Sequence, residues 1–229
     1  MDFFDSLIKK ALEITQGLSE INYEYDPDKA WKDAGCNQVI LQRDTAFELS
    51  GTGFNLVTTA DIEDGITVIG DELGSIKESC KFTRITLVQI DEPEDQQKTY
   101  NLIRKIEYVK YHYFPDGYMM RTASRSHKEA VRVSKKAVKK GISFQSAGNL
   151  LISKYKENPA VKGVRVIFIT SQDADHKAFE AMAEKSNSIT ETLNHVMNSV
   201  NFDCNTCNLK PICDEVEGMR ELHFKNKGM

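Results

Sequence analysis

The stretch Phe82-Thr-Arg-Ile-Thr-Leu-Val-Gln-Ile90 decides the fold class of this chain. It is rich in β-branched residues, which favour strands over helices. Three earlier runs, at residues 38–42, 54–59 and 66–69, have the same texture. Turn-forming residues separate these runs: Gly51, Gly53, Asp64-Gly65 and Gly70. The sequence therefore predicts several β-strands in the N-terminal half.

Helical patterns precede and follow this β-rich stretch. Residues 3–18 and 95–113 repeat apolar side chains at a period of about 3.6, and helices are also predicted over 146–156 and 173–200, with a buried strand at 163–170. This order predicts an α+β fold with mixed α/β layers: a β-rich N-terminal half, helices plus a buried strand in the C-terminal half, and a short cysteine-rich tail. We expect one domain over residues 1–200 and a metal-binding tail over residues 201–229.

The composition narrows the class of protein. The 229 residues carry 30 Lys and Arg against 34 Asp and Glu, and 40% are hydrophobic, which is enough to bury a core. The longest apolar runs are far shorter than the roughly 20 residues that a membrane span needs. The N-terminus lacks the features of a secretory signal. These observations predict a cytoplasmic protein with no membrane partner.

A basic segment stands out between residues 121 and 140. Its eight basic residues and single acid, Glu129, give a balance of +7, so the rest of the chain carries −11. A helix over 126–141 is predicted from the capping box Ser126-His-Lys-Glu129 and from Gly141 at its end. Lys128, Arg132, Lys135 and Lys139 would then share one helix face.

Such a charge imbalance indicates an anionic partner. The plain alternative is a solvated helix whose lysines only keep the protein soluble. An acidic remainder and a pI near 5.8 argue against a broad nucleic-acid surface. A compact polyphosphate ligand, such as a nucleotide or coenzyme A, fits better. The residues expected to bind it are Arg121, Arg125, Lys128, Arg132, Lys135, Lys136 and Lys139.

Three cysteines crowd into the tail as Cys204-x2-Cys207-x5-Cys213. This spacing lets two thiolates in one turn hold the same ion, so the sequence predicts a metal site. A fourth ligand could be His223, Cys36, Cys80 or a group from outside the chain. With His223 the site would be a structural zinc site, and with an external or missing ligand it could be an iron–sulfur cluster. Ordinary free thiols are the alternative.

Residues 38–170 resemble a known family. The segments that carry the resemblance include Asp61-Ile-Glu-Asp-Gly-Ile-Thr-Val-Ile-Gly70 and Val131-Arg-Val-Ser-Lys-Lys-Ala-Val-Lys-Lys-Gly141. They are similar to the middle domain of acetyl-CoA synthase, the β subunit of the carbon monoxide dehydrogenase/acetyl-CoA synthase complex. The resemblance implies that the chain binds coenzyme A or an acyl-CoA, with Arg132 at the matching position and the other basic residues nearby. It also implies carbon monoxide dehydrogenase or corrinoid protein subunits as partners.

The same resemblance has an implication for the predicted metal site in the tail. The family's nickel centre, bridged to an iron–sulfur cluster, begins with a Cys-x2-Cys pair, and Cys204 and Cys207 fall at the corresponding place. The further nickel-binding cysteines are missing from this sequence, so a complete nickel active site is not expected. Two other functions stay open: a non-catalytic interaction or electron-transfer subunit that docks through the basic segment, and a small nucleic-acid-binding protein with a zinc knuckle.

Overall fold

The computed structural model describes residues 3–36, 38–92, 96–123, 128–197 and 209–215. These residues form six α-helices, three short 3-10 helices and seven strands. The helices are α1 (Asp5–Thr15), α2 (Gln96–His112), α3 (Lys135–Lys139), α4 (Phe144–Lys156), α5 (His176–Met197) and α6 (Lys210–Glu215). The strands are β1 (Glu20–Glu24), β2 (Thr45–Thr58), β3 (Gly65–Ile69), β4 (Cys80–Ile90), β5 (Tyr118–Ala123), β6 (Lys128–Ser134) and β7 (Val161–Ile169).

All seven strands belong to one mixed sheet, in the order β1-β3-β7-β4-β2-β6-β5. The pairs β3–β7 and β2–β4 are parallel, and the other neighbours are antiparallel. Strand β2 is the longest, with 14 residues, and joins the β3–β7–β4 half to the β6–β5 edge. The predicted fold class, with mixed α and β layers, is confirmed.

Helices α2 and α4 cover one face of the sheet. The side chains of Tyr155 in α4 and Glu107 in α2 both hydrogen-bond Asn55 of β2, at 2.9 Å each. Gly148 lets α4 approach closely, because a Cβ there would lie 2.5 Å from Cγ1 of Ile66 in β3. This close approach explains why a glycine occupies a helix interior, where it usually costs stability.

Helices α1 and α5 cover the opposite face. Strand residues alternate between faces, so Thr58 of β2 and Thr83 of β4 lie on the other side from Asn55. Thr58 donates a hydrogen bond to Asp5 of α1 at 3.0 Å, and Thr83 bonds His176 of α5 at 3.0 Å. The core therefore has two halves, one on each side of the sheet.

Most predicted elements are confirmed within a few residues: the helices at 3–18, 95–113, 146–156 and 173–200, and the strands at 66–69, 82–90 and 163–170. Two predictions are wrong in this part of the chain. The strand predicted at 38–42 is absent, since residues 38–41 belong to no strand and residues 42–44 form a short 3-10 helix. Gly51 and Gly53, predicted as turn residues, lie inside β2. The edge strand β1 has no counterpart among the predicted strands.

The largest correction concerns the basic segment. Residues 128–134 form strand β6, and only Lys135–Lys139 form a helix. Burial alternates along β6, with Glu129, Val131 and Val133 inside, which is the period-2 pattern of a strand. The helix begins at Ser134, whose side chain accepts a hydrogen bond from the Ala137 amide at 2.9 Å. Its predicted end is confirmed, since Gly141 has a φ of 87°.

Two further predictions, the domain boundary and the tail, fall wholly or mostly outside the described residues. The predicted boundary near residue 200 lies outside them, and of the tail only 209–215 are described. Within the described part of the chain, no helix has the length and apolar character to cross a bilayer.

Candidate functional site

Lys128 lines a cleft of about 630 Å³ on the α5 side of the sheet. Its walls come from β2, β4, the beginning of β6 and the first turns of α5. Lys81 and Lys177 also line it. Ligand sites typically have volumes of about 300–1,000 Å³. This cleft therefore has room for a small-molecule ligand.

The charge of this cleft is mainly positive. Lys81, Lys128 and Lys177 are exposed and form no ion pair with another described residue. Two acids, Glu48 and Glu180, share the lining. Glu48 already accepts a hydrogen bond from Arg132 Nε at 2.7 Å. Glu180 is therefore the one acid of the lining left to offset three lysines, so the cleft keeps a net positive charge that attracts an anion from solution.

Strand register brings together three positions that the sequence analysis singled out. Lys128 and Arg132 are four residues apart on β6 and therefore share one face. Residue 121 of β5 pairs with Ala130 of β6, between them. The predicted single helix face is wrong, but positions 121, 128 and 132 lie on one face of the sheet, beside the cleft.

The opposite face of β6 carries a buried ion pair. Arg84 and Glu129 both have side chains with no exposed surface. Arg84 donates to both carboxylate oxygens, at 2.9 Å from Nε and 2.7 Å from Nη2, and to Thr86 at 3.2 Å. Burial alone would lower the pKa of Arg84, but the charge and hydrogen bonds of Glu129 raise it above its ordinary value. Gly53 makes room, because a Cβ there would lie 1.9 Å from Glu129 Oε2.

His176 fixes the beginning of α5 at the cleft wall. Its Nε2 lies 2.9 Å from the Ser171 carbonyl, which can only accept, so Nε2 carries the proton. Nδ1 then accepts from the Thr83 hydroxyl. Burial lowers the pKa of His176, and the Ser171 hydrogen bond partly opposes this shift. The imidazole is therefore held neutral in a packing role.

The remaining basic positions lie elsewhere. Lys135, Lys136 and Lys139 line a second cleft of about 590 Å³, together with residues of the 38–44 segment. Arg125 lies outside the described residues, and of Arg121 only the backbone is described. Two contributors to the first cleft, Lys81 and Lys177, were missed by the sequence analysis. No local pattern marks them, because they come from β4 and α5 and meet only in the folded chain.

The predicted metal ligands fall mostly outside the described residues. Cys204, Cys207 and His223 lie there, and Cys213 is described only as backbone within α6. Two alternative ligands are placed: Cys36 is exposed, and Cys80 is half-buried at the start of β4. Burial, followed by Asp71 and Glu78, raises the pKa of the Cys80 thiol. Among the described residues, no group of three His, Cys, Asp or Glu side chains could hold a metal ion.

A match to a known protein family covers most of this fold. The family described as CO dehydrogenase/acetyl-CoA synthase complex beta subunit matches residues 36–174, which is more than half of the chain. The chain belongs to this family. The match extends from the segment before β2 through β7. It therefore includes the parts of β2, β4 and β6 that line the cleft, and all of α3. Helix α1, strand β1 and helix α5 lie outside it.

A curated relative agrees with the family assignment. The chain is 29% identical over 193 residues to carbon monoxide dehydrogenase/acetyl-CoA synthase subunit alpha of Moorella thermoacetica. The aligned region is 80% of this chain but 26% of the relative. The chain therefore spans about a quarter of the length of that protein.

Proposed function

We propose that this chain binds coenzyme A or an acyl-CoA, with the phosphates in the cleft beside β6. The observation that carries the proposal is the group of three lysines around this cleft, Lys81, Lys128 and Lys177, none of which has an ion-pair partner among the described residues. Membership of a family named for acetyl-CoA synthase supports this ligand class.

Arg132 has a supporting role in this proposal. Its guanidinium is held by Glu48 and by the Ile40 carbonyl, at 2.7 and 3.3 Å. It therefore neutralises Glu48, one of the two acids that line the cleft, instead of offering all its donors to a ligand. Position 121, on the same sheet face, is the next candidate contact.

Calorimetric titration of the full chain with coenzyme A tests the proposal. Lys128→Ala should weaken binding by about 1.5–3 kcal/mol, as for a hydrogen bond to a charged group, and affinity should fall with salt. Lys139→Ala, which removes a similar charge from the second cleft, is the matched control and should bind like the wild type. Equal losses in both variants, or binding that is insensitive to salt, would contradict the assignment.

The same titration with ADP and with pantetheine separates ligand classes. Coenzyme A should bind more tightly than either fragment, because only the whole molecule presents both its phosphates and its pantetheine arm. If ADP bound as tightly as coenzyme A, the cleft would instead be a nucleotide site.

We also propose that Cys204, Cys207 and Cys213 hold zinc or an iron–sulfur cluster. Cys-x2-Cys spacing supports this, as does the anchoring of α6: Leu209 before it is buried and Ile212 packs on the core. When bound, such a centre would supply structural stability or electron transfer. Anaerobically purified protein should contain one centre per chain, lost in Cys213→Ser and kept in the control His112→Ala, at an exposed position of α2. Metal-free wild type would contradict it.

A further inference from the structure

Residues 38–41 have the composition of a strand without a strand partner. Side chains alternate along them: Val39 is 83% exposed, Ile40 is buried and Leu41 is 49% exposed. Among the described residues, the segment makes one backbone–backbone hydrogen bond, from the Asp44 amide to the Leu41 carbonyl. Isolated exposed apolar residues are common, but here two of them alternate with a buried one, and Leu41 has the extended backbone angles of a strand, with φ −68° and ψ 150°. The carbonyls of Ile40 and Leu41 already accept hydrogen bonds, whereas the amides of Val39, Ile40 and Leu41 have no partner among the described residues. Unpaired amides of this kind are available to an added strand.

This segment is held in place by side-chain contacts. Gln38 donates to an Asp116 carboxylate oxygen at 3.0 Å and accepts from the Gly117 amide at 2.8 Å. Arg132 donates to the Ile40 carbonyl at 3.3 Å. These contacts hold the segment in one conformation before any partner binds. Such preorganisation lowers the entropic cost of association.

Lysines lie beside the exposed side chain of Val39. Val39 and Ile40 line the second cleft together with Lys135, Lys136 and Lys139. Lys135 donates to the Arg43 carbonyl at 3.2 Å. Lys136 and Lys139 are exposed, and neither forms an ion pair with another described residue. Two acids, Asp44 and Asp116, also line this cleft, but Asp44 pairs with Arg43 and Asp116 accepts a hydrogen bond from Gln38. The surface thus combines exposed apolar side chains with a net positive charge.

We propose that residues 38–41 and α3 form a docking surface for an acidic, extended segment of another protein. The partner adds as a strand beside 38–41, packs apolar side chains on Val39 and Leu41, and places carboxylates near Lys136 and Lys139. Strand addition of this kind takes its affinity from main-chain hydrogen bonds and its specificity from alternate side chains. Charge complementarity selects the partner.

Two other occupants fit less well. A phosphate-bearing ligand would use the lysines but gives no role to the exposed Val39 and Leu41. A symmetric pair of this chain would bring the same surface of two copies together, since a two-fold interface is self-complementary. The lysines of the two copies would then repel each other.

An NMR titration of the full ¹⁵N-labelled chain tests the docking surface. The probe is a blocked peptide of alternating Glu and Val, and its analogue of alternating Lys and Val is the charge control. The acidic peptide should shift amides of residues 38–44 and 134–141, and the basic peptide should not. An excess of coenzyme A should leave these shifts unchanged, which separates this surface from the cleft beside β6.

Variants sharpen the test. Val39→Asp and the double change Lys136→Ala with Lys139→Ala should each weaken the acidic peptide at least fivefold, and high salt should remove the effect of the lysine changes. Lys10→Ala, at an exposed position of α1, is the control and should not alter binding. No shifts, shifts located elsewhere, or equal binding by Val39→Asp would overturn the proposal. So would a concentration-dependent dimer that Val39→Asp abolishes in the absence of peptide binding.

Discussion

Replacing Glu129 by alanine tests whether residues 128–134 form a strand with Glu129 buried, in place of the predicted helix. The side chains of Glu129 and Arg84 have no exposed surface and are joined by two hydrogen bonds. Without the carboxylate, the Arg84 guanidinium would keep its hydrogen bond to Thr86 but would stay buried with its charge uncompensated. Breaking a buried pair in this way costs about 3–5 kcal/mol. We expect the free energy of unfolding to fall by that amount.

Glu48→Ala is the control for an exposed ion pair. Glu48 binds Arg132 at 2.7 Å, the same distance as the shorter contact of the buried pair, but through one hydrogen bond instead of two. Its side chain is 45% exposed and that of Arg132 is 39% exposed. Exposed pairs contribute about 0–1 kcal/mol. The difference between the two variants therefore reports the combined effect of burial and of the second hydrogen bond.

Urea unfolding followed by circular dichroism measures both losses. A third variant, Arg84→Met with Glu129→Leu, should recover much of the stability lost in Glu129→Ala, because apolar replacement removes both buried charges together. If Glu129→Ala lost no more stability than Glu48→Ala, Glu129 would not be a buried strand residue. A solvent-exposed helix over 126–141 would then be the better description.

Two further predictions concern close contacts in the sheet. Gly53→Ala should destabilise the fold by about 1–3 kcal/mol through overpacking against Glu129, and a double-mutant cycle should show a smaller cost in the Glu129→Ala background. The pKa of His176 is lowered by burial, so the unfolded chain binds a proton more readily than the folded chain. The His176 contribution to stability should therefore be complete above about pH 6.5 and decline as the pH falls below it, and His176→Gln should remove this part of the pH dependence in urea titrations.

The sequence was sufficient where one periodicity dominated. Helix α2 and strands β4 and β7 were predicted because their apolar residues follow a clear period. The basic segment carries two conflicting signals. Lysines at intervals of three and four, with a capping-box motif, match a helix, while Val131 and Val133 alternate as in a strand. Packing of these valines in the core decides the outcome, and that packing cannot be read from the segment alone.

The turns predicted at Gly51 and Gly53 are wrong for a related reason. Gly51 and Gly53 have the composition of a turn, but both lie within β2 because neighbours need the space of a missing side chain. A Cβ at Gly51 would lie 1.6 Å from the Phe82 carbonyl oxygen, and one at Gly53 would lie 1.9 Å from the Glu129 carboxylate. Those neighbours are 31 and 76 residues away along the chain. Such long-range contacts are set by the sheet order.

The strand and short helix of the basic segment also determine where its positive charge is exposed. Glu129 is its single acid, yet it turns inward and is neutralised by Arg84 from β4, so it cannot offset the lysines around it. Arg132, on the outer face, is offset by Glu48 from β2. The positive charge left at the surface is divided between Lys128 at one cleft and the α3 lysines at the other. A continuous helix would have placed these residues in one row, whereas a strand followed by a short helix separates the lysine of the proposed coenzyme A site from those of the proposed docking surface.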